Sequence, residues 1–78
     1  MALIEGFAER SIERPRLHEP TRCRYAVVDV AGSRRLQLDT YGSRDRVELD
    51  KVSQSVQLDL DSARELIAII YRVFPDLR

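Results

Sequence analysis

Polar and apolar residues alternate through most of the middle of the chain, and near residue 60 the period changes. In RCRYAVVDV (22–30) the β-branched Val27, Val28 and Val30 and the aromatic Tyr25 suit a pleated strand. Ala26, Val28 and Val30 share one side of it; Tyr25, Val27 and Asp29 share the other. In RRLQLDTY (34–41), Leu36, Leu38 and Thr40 point one way while Arg35, Gln37, Asp39 and Tyr41 point the other. AGSR between them offers a tight turn, with Gly32 for a positive φ. These two strands predict an antiparallel hairpin with one buried and one wet face. After the polar loop GSRDR, Val47 and Leu49 alternate with Arg46, Glu48 and Asp50, which predicts a short third strand. A fourth is predicted over 52–58, where Val52, Gln54, Val56 and Leu58 alternate with Ser53, Ser55 and Gln57.

From Asp59 the spacing is helical. Ala63, Leu66, Ile67, Ile70 and Phe74 form one stripe. Asp59 suits the N-cap, Asp61 and Glu65 lie near the positive end of the dipole, Arg72 lies near the negative end, and Pro75 stops the helix. About 15 residues make a helix of about 22 Å. Ile69 and Val73 lie beside the stripe, and Ala68 and Tyr71 widen it. Covering one sheet takes a stripe of about 100°. The excess predicts contact with the same helix of a second copy, through Leu66, Ile69, Ile70, Val73 and Phe74.

Residues 1–21 are less regular. Leu3, Ile4, Phe7, Ala8 and Ile12 have helical spacing, Gly6 weakens it, and Pro15 and Pro20 interrupt any element. An N-terminal arm or short helix that docks on a partner is the expectation, with a frayed terminus as the alternative. The predicted organisation is therefore an arm over 1–21 and one ββββα domain over 22–78. Its class is α+β: a four-stranded antiparallel sheet followed by a C-terminal helix.

Size changes the picture. A domain near 60–80 residues buries only about 60% of its unfolded surface and needs a staple. Cys23 is the sole cysteine of the 78 residues, so no internal disulfide can form. One cysteine and one histidine, His18, fall short of the four ligands of a structural zinc site. Oligomerisation is the remaining staple, and a homodimer is the simplest form of it. Lys+Arg and Asp+Glu are both 13, which argues against an indiscriminate polyanion binder. Twelve of the 13 basic residues are arginine, the better group for bidentate phosphate contacts and for stacking on bases; a GC-rich genome would give the same bias. No apolar run is long enough to span a membrane, and the N-terminus lacks the pattern of a secretory leader. The expectation is a cytoplasmic protein.

Nothing in the sequence points to catalysis. His18 sits between prolines without a nucleophile beside it, and Cys23 at the head of an apolar strand is expected to be a small buried hydrophobe. The glycines are isolated, so no phosphate loop is predicted. No cofactor and no metal are expected. What remains is the sheet face away from the helix, predicted to carry Tyr25, Val27, Arg35, Gln37, Tyr41, Ser53, Ser55 and Gln57, with Arg44 and Arg46 on the adjoining loop. Guanidinium groups, rings and amides on a twisted sheet hold single strands, cations meeting phosphates while bases stack or bond to amides. An ordinary solvated face with residues chosen for β-propensity has the same composition.

The segments RYAVVDVAGSRRLQLDTYG and VSQSVQLDLDSARELIAII resemble the positive-cofactor-four family of transcriptional coactivators and its bacterial relatives. The resemblance implies a four-stranded antiparallel sheet, a helix that dimerises, and a channel for single-stranded DNA. It places Tyr25, Arg35 and Tyr41 where such proteins use basic or aromatic sheet residues. The expected function is thus non-catalytic binding of single-stranded DNA or RNA, as a transcription or DNA-processing accessory. The expected contacts are Tyr25, Arg35, Gln37, Tyr41, Arg44, Arg46, Ser53 and Gln57. The alternative is a protein–protein adaptor or small regulatory subunit that uses the same dimer, with a protein partner at the arm.

Overall fold

The structure, a computed structural model, describes residues 1–42 and 51–77. Its elements are β1 (Ala2–Ile4), β2 (Cys23–Val30), β3 (Ser33–Thr40), β4 (Gln54–Leu58), the helix α1 (Leu60–Val73) and a 3-10 turn at Pro75–Leu77. The class is α+β, with one four-stranded sheet and one long C-terminal helix. The sheet order is β1-β4-β3-β2.

The sheet is mixed, not antiparallel throughout. β2 with β3 and β3 with β4 are antiparallel, but β1 pairs with β4 in parallel. The strand expected over 46–50 lies outside the described residues, and the fourth strand is supplied by the N-terminus instead. Leu3 and Ile4, whose spacing with Phe7 predicts a helix or arm, pair with Gln57 and Leu58. Three residues are too few to show a period of two, while β4 would otherwise leave a row of backbone groups unpaired. From Ala8 to Arg22 every residue is exposed and no regular element forms.

The hairpin turn decides which side chains share a face. Ala31 and Gly32 both adopt positive φ, 52° and 82°, as a two-residue type I′ turn requires. That fixes Val27 opposite Leu36 and Tyr25 opposite Leu38. Opposed residues project to the same side. Tyr25 and Val27 therefore join the apolar face with Leu36, Leu38, Val56 and Leu58, while Ala26 and Val28 lie on the polar face beside Gln37 and Arg35. This reverses the expected orientation of β2. A one-residue shift in loop length would invert it again.

Asp59 caps α1 as predicted. Its side chain accepts from the Ser62 backbone N–H at 2.9 Å, and the Asp59 backbone N–H donates to Ser62 Oγ at 2.9 Å, which closes a capping box. Ser62 is fully buried. The inner side of α1 carries Ala63, Leu66, Ile69 and Ile70, each half-buried. A second stripe, Leu60, Ile67 and Phe74, recurs every seven residues and is exposed at 70%, 53% and 58%.

Among the described residues Leu58 is the one buried hydrophobic side chain. The accessible surface is 7488 Å², where a compact 9.0 kDa monomer has about 4,900 Å². The radius of gyration is 14.8 Å, against about 11.5 Å for a compact chain of this length. The exposed segment 8–22, which forms no regular element, contributes to both excesses.

Candidate functional site: the polar face of the sheet

β3 and β4 bring Gln37 opposite Gln57 and Asp39 opposite Ser55. Their side chains form one hydrogen-bonded line. Arg35 Nη1 donates to Gln57 Oε1 at 3.0 Å. Gln57 Nε2 donates to Gln37 Oε1 at 2.8 Å. Gln37 Nε2 donates to the two Asp39 carboxylate oxygens at 3.1 and 3.2 Å. The line runs from a guanidinium to a carboxylate, so its two amides are polarised in one direction. It is part-buried, which fixes the rotamers of all four groups.

The line retains unused capacity. A guanidinium has five N–H donors and an amide has two. Arg35 commits one to Gln57, and Gln57 commits one N–H to Gln37. Along the line runs a shallow groove of about 360 Å³, lined by Met1, Ala2, Leu3, Gln37, Asp39, Val52, Ser55 and Gln57. On the other flank β2 places Val28 beside Arg35, Ala26 beside Gln37 and the exposed Arg24 beside Asp39. The result is a strip of planar polar groups between an apolar rim at Leu3 and a cation at Arg24.

Of the residues expected to bind a strand, Arg35, Gln37 and Gln57 come together. Tyr25 does not: it lies on the apolar face opposite Leu38 and is 76% exposed there. Tyr41 and Ser53 sit just beyond the strand ends, at the Asp39 end of the line, where the Ser53 N–H donates to the Thr40 carbonyl at 2.7 Å. The Thr21 hydroxyl donates to the Gly42 carbonyl close by. Arg44 and Arg46 lie outside the described residues. Cys23, expected to be buried, is exposed, because the apolar face is open at the β2 edge. Asp61 faces Arg64 at 3.5 Å on the helix surface.

Four contributors are absent from the expected contacts. Asp39, Ser55 and Arg24 follow from the register, and alternation with Gln37 and Gln57 is signal enough for the first two. Leu3 has no usable signal, since its spacing imitates a helix.

The opposite face is chemically distinct. An open cleft of about 370 Å³ lies between the start of α1 and the sheet, lined by Val27, Arg34, Arg35, Leu36, Leu58, Asp59, Leu60 and Ala63. Val27 is 68% exposed, and Leu36 is partly exposed. Asp29 and Arg34, paired across the hairpin at 3.5 Å, mark its outer end. Asp59 holds its carboxyl below the ordinary range because the Ser62 N–H and hydroxyl favour the charged form, with a smaller contribution from the Arg35 charge.

Among the described residues no group of three or more His, Cys, Asp or Glu is placed to hold a metal ion, and no helix is long and apolar enough to cross a membrane. No protein-family model, curated protein or solved structure matches the chain.

Proposed function

We propose that the chain is a non-catalytic binding module that works as a homodimer and presents its polar sheet face to a single-stranded nucleic acid. The observation that carries this is the division of one sheet into two faces of opposite character. The apolar face, with Tyr25, Val27 and Leu36 open, is suited to a second protein surface. The polar face is left for a ligand, and it offers guanidinium and amide groups held in fixed rotamers. Amides and guanidinium planes bond the edges of unstacked bases, and Arg24 and Arg35 supply charge for phosphates. The resemblance of β2–β3 and of β4–α1 to the positive-cofactor-four family supports the same assignment.

Binding is tested by fluorescence anisotropy with a labelled strand of about 20 nucleotides. Affinity should fall linearly in log salt, with a slope of about −0.7 per phosphate neutralised. Arg24→Ala with Arg35→Ala should weaken binding and reduce the magnitude of the slope by about 1.4, two phosphates' worth. Gln37→Ala with Gln57→Ala should weaken binding and leave the slope unchanged, since amides displace no counterions. Absence of binding at low salt, or indifference to the arginine pair, rejects the nucleic-acid assignment.

A second reading, a protein adaptor, is favoured by one observation. Asp39 sits on the polar face and takes the donors of Gln37, and its charge repels a phosphate. A polypeptide offering both donors and acceptors suits such a line better than a polyanion does. Binding to a protein partner that is insensitive to salt would favour it.

A further inference from the structure

We infer that the Asp39 end of the polar line reads guanine: the carboxylate accepts the two adjacent N–H donors of a guanine Watson–Crick edge, while the ring lies in the groove beside β1. This rests on the single-strand binding proposed above and names the base that the face selects.

Asp39 is out of place on a face that meets a strand by its phosphates alone. Its charge repels them, yet it sits half-buried on the ligand face and ends a line that begins at a guanidinium. The Gln37 amide nitrogen donates to its two oxygens at 3.1 and 3.2 Å. An ionised carboxylate has about four lone-pair sites, so each oxygen keeps capacity for a ligand. Gln37 thus fixes the rotamer of the carboxylate without filling it. A strand carries its N–H donors on its bases, so a base is what this group can take.

Guanine fits it best. Adenine, cytosine and thymine each offer a donor flanked by acceptors, which gives a carboxylate one hydrogen bond. Guanine offers N1–H and the 2-amino group side by side, which matches the two oxygens of a carboxylate. The surroundings suit the rest of the base. Ser55 lies directly opposite Asp39 and also lines the groove, and its hydroxyl can donate to the O6 next to N1. Leu3 pairs with Gln57, and with Val52 it gives the groove of about 360 Å³ an apolar side for the face of the ring. On the other flank the exposed Arg24 stands opposite Asp39 and supplies the charge for a neighbouring phosphate.

Base analogues test this in anisotropy titrations of the full chain. The probes are thymine strands of about 20 nucleotides carrying guanines spaced singly, and the same strands with inosine in place of guanine. Inosine keeps N1–H, O6 and N7 and lacks the 2-amino group. Arg35, whose fork suits O6 and N7, cannot tell the two apart. The guanine strand should bind about tenfold tighter, the worth of one hydrogen bond to a charged group. Asp39→Asn keeps an oxygen for Gln37 and replaces the other acceptor with a donor. It should abolish the guanine–inosine ratio and raise affinity for an all-thymine strand, because a charge that repels phosphate is gone. A variant that had merely lost its fold would lose thymine binding as well. Equal binding of the guanine and inosine strands by the unsubstituted chain overturns the inference and leaves single-strand binding intact. A ratio that survives in Asp39→Asn overturns it too, since guanine is then read elsewhere. If no strand binds at low salt, the nucleic-acid reading itself fails and the inference falls with it.

Discussion

Asp59 and Ser62 form a reciprocal pair at the residue scale: the side chain of each accepts from the backbone N–H of the other. That closes two of the orphan donors at the start of α1 at the point where β4 turns into the helix without a loop. Ser62→Ala removes the acceptor for the Asp59 N–H, and unfolding in urea should show a loss of about 1 kcal/mol. The charge on Asp59 has its own signature. Its carboxyl titrates below the ordinary value of 3.8, chiefly through the Ser62 N–H. A depressed pKa contributes stability that is present above the unfolded value and is lost as pH falls through the folded value. Asp59→Asn keeps an acceptor for the Ser62 N–H and removes the titration. The two proteins should therefore differ by a constant amount from neutral pH down to about 5 and converge below the ordinary aspartate value. Urea midpoints measured across that range check the sign, and parallel curves down to about pH 2 would rule out Asp59 as the source.

At the scale of elements, the β2–β3 hairpin carries a correctable defect. Ala31 holds φ 52°, a left-handed conformation that costs an L-residue roughly 1–2 kcal/mol, while Asn tolerates it better. Asn-Gly is the preferred pair for this turn, so Ala31→Asn should stabilise the protein by about 0.5–1 kcal/mol without changing the register. A lower urea midpoint in that variant would mean that Ala31 makes a contact the turn geometry does not suggest. The same hairpin shows where the sequence runs out. β2, β3 and α1 are legible because period two and period 3.6 are local properties of the chain, and Asp59 and Pro75 punctuate the helix. The orientation of β2 is not local. Both of its sides are apolar enough to be buried, Ala26 and Val28 on one and Tyr25 and Val27 on the other, so only the turn decides. Gly32 announces a turn, but nothing in the sequence requires Ala31 to share its positive φ. The polar face is half legible for the same reason. Arg35, Gln37 and Gln57 belong to strands with one clear polar side, whereas Tyr25 follows β2, and β1 is too short to show any pattern.

At the scale of the whole molecule the question is what holds the chain together. One buried hydrophobic side chain among the described residues cannot offset the entropy of ordering a domain, since side-chain and backbone ordering cost about 1–2 kcal/mol per residue. Cys23 cannot supply a disulfide within the chain, because it is the only cysteine. Either the fold is marginal, or its stability is that of an assembly. The two differ in a way that needs no structure of the assembly. If unfolding and dissociation are one event, apparent stability rises with protein concentration by mass action, by about 1.4 kcal/mol for each tenfold increase. Urea unfolding followed by circular dichroism at three concentrations a decade apart should thus give midpoints that climb in even steps. A midpoint that does not move would show that the monomer folds alone. Tyr25, Val27, Leu60 and Ile67 would then remain open on a stable protein, and the partner they await would be a different chain from this one.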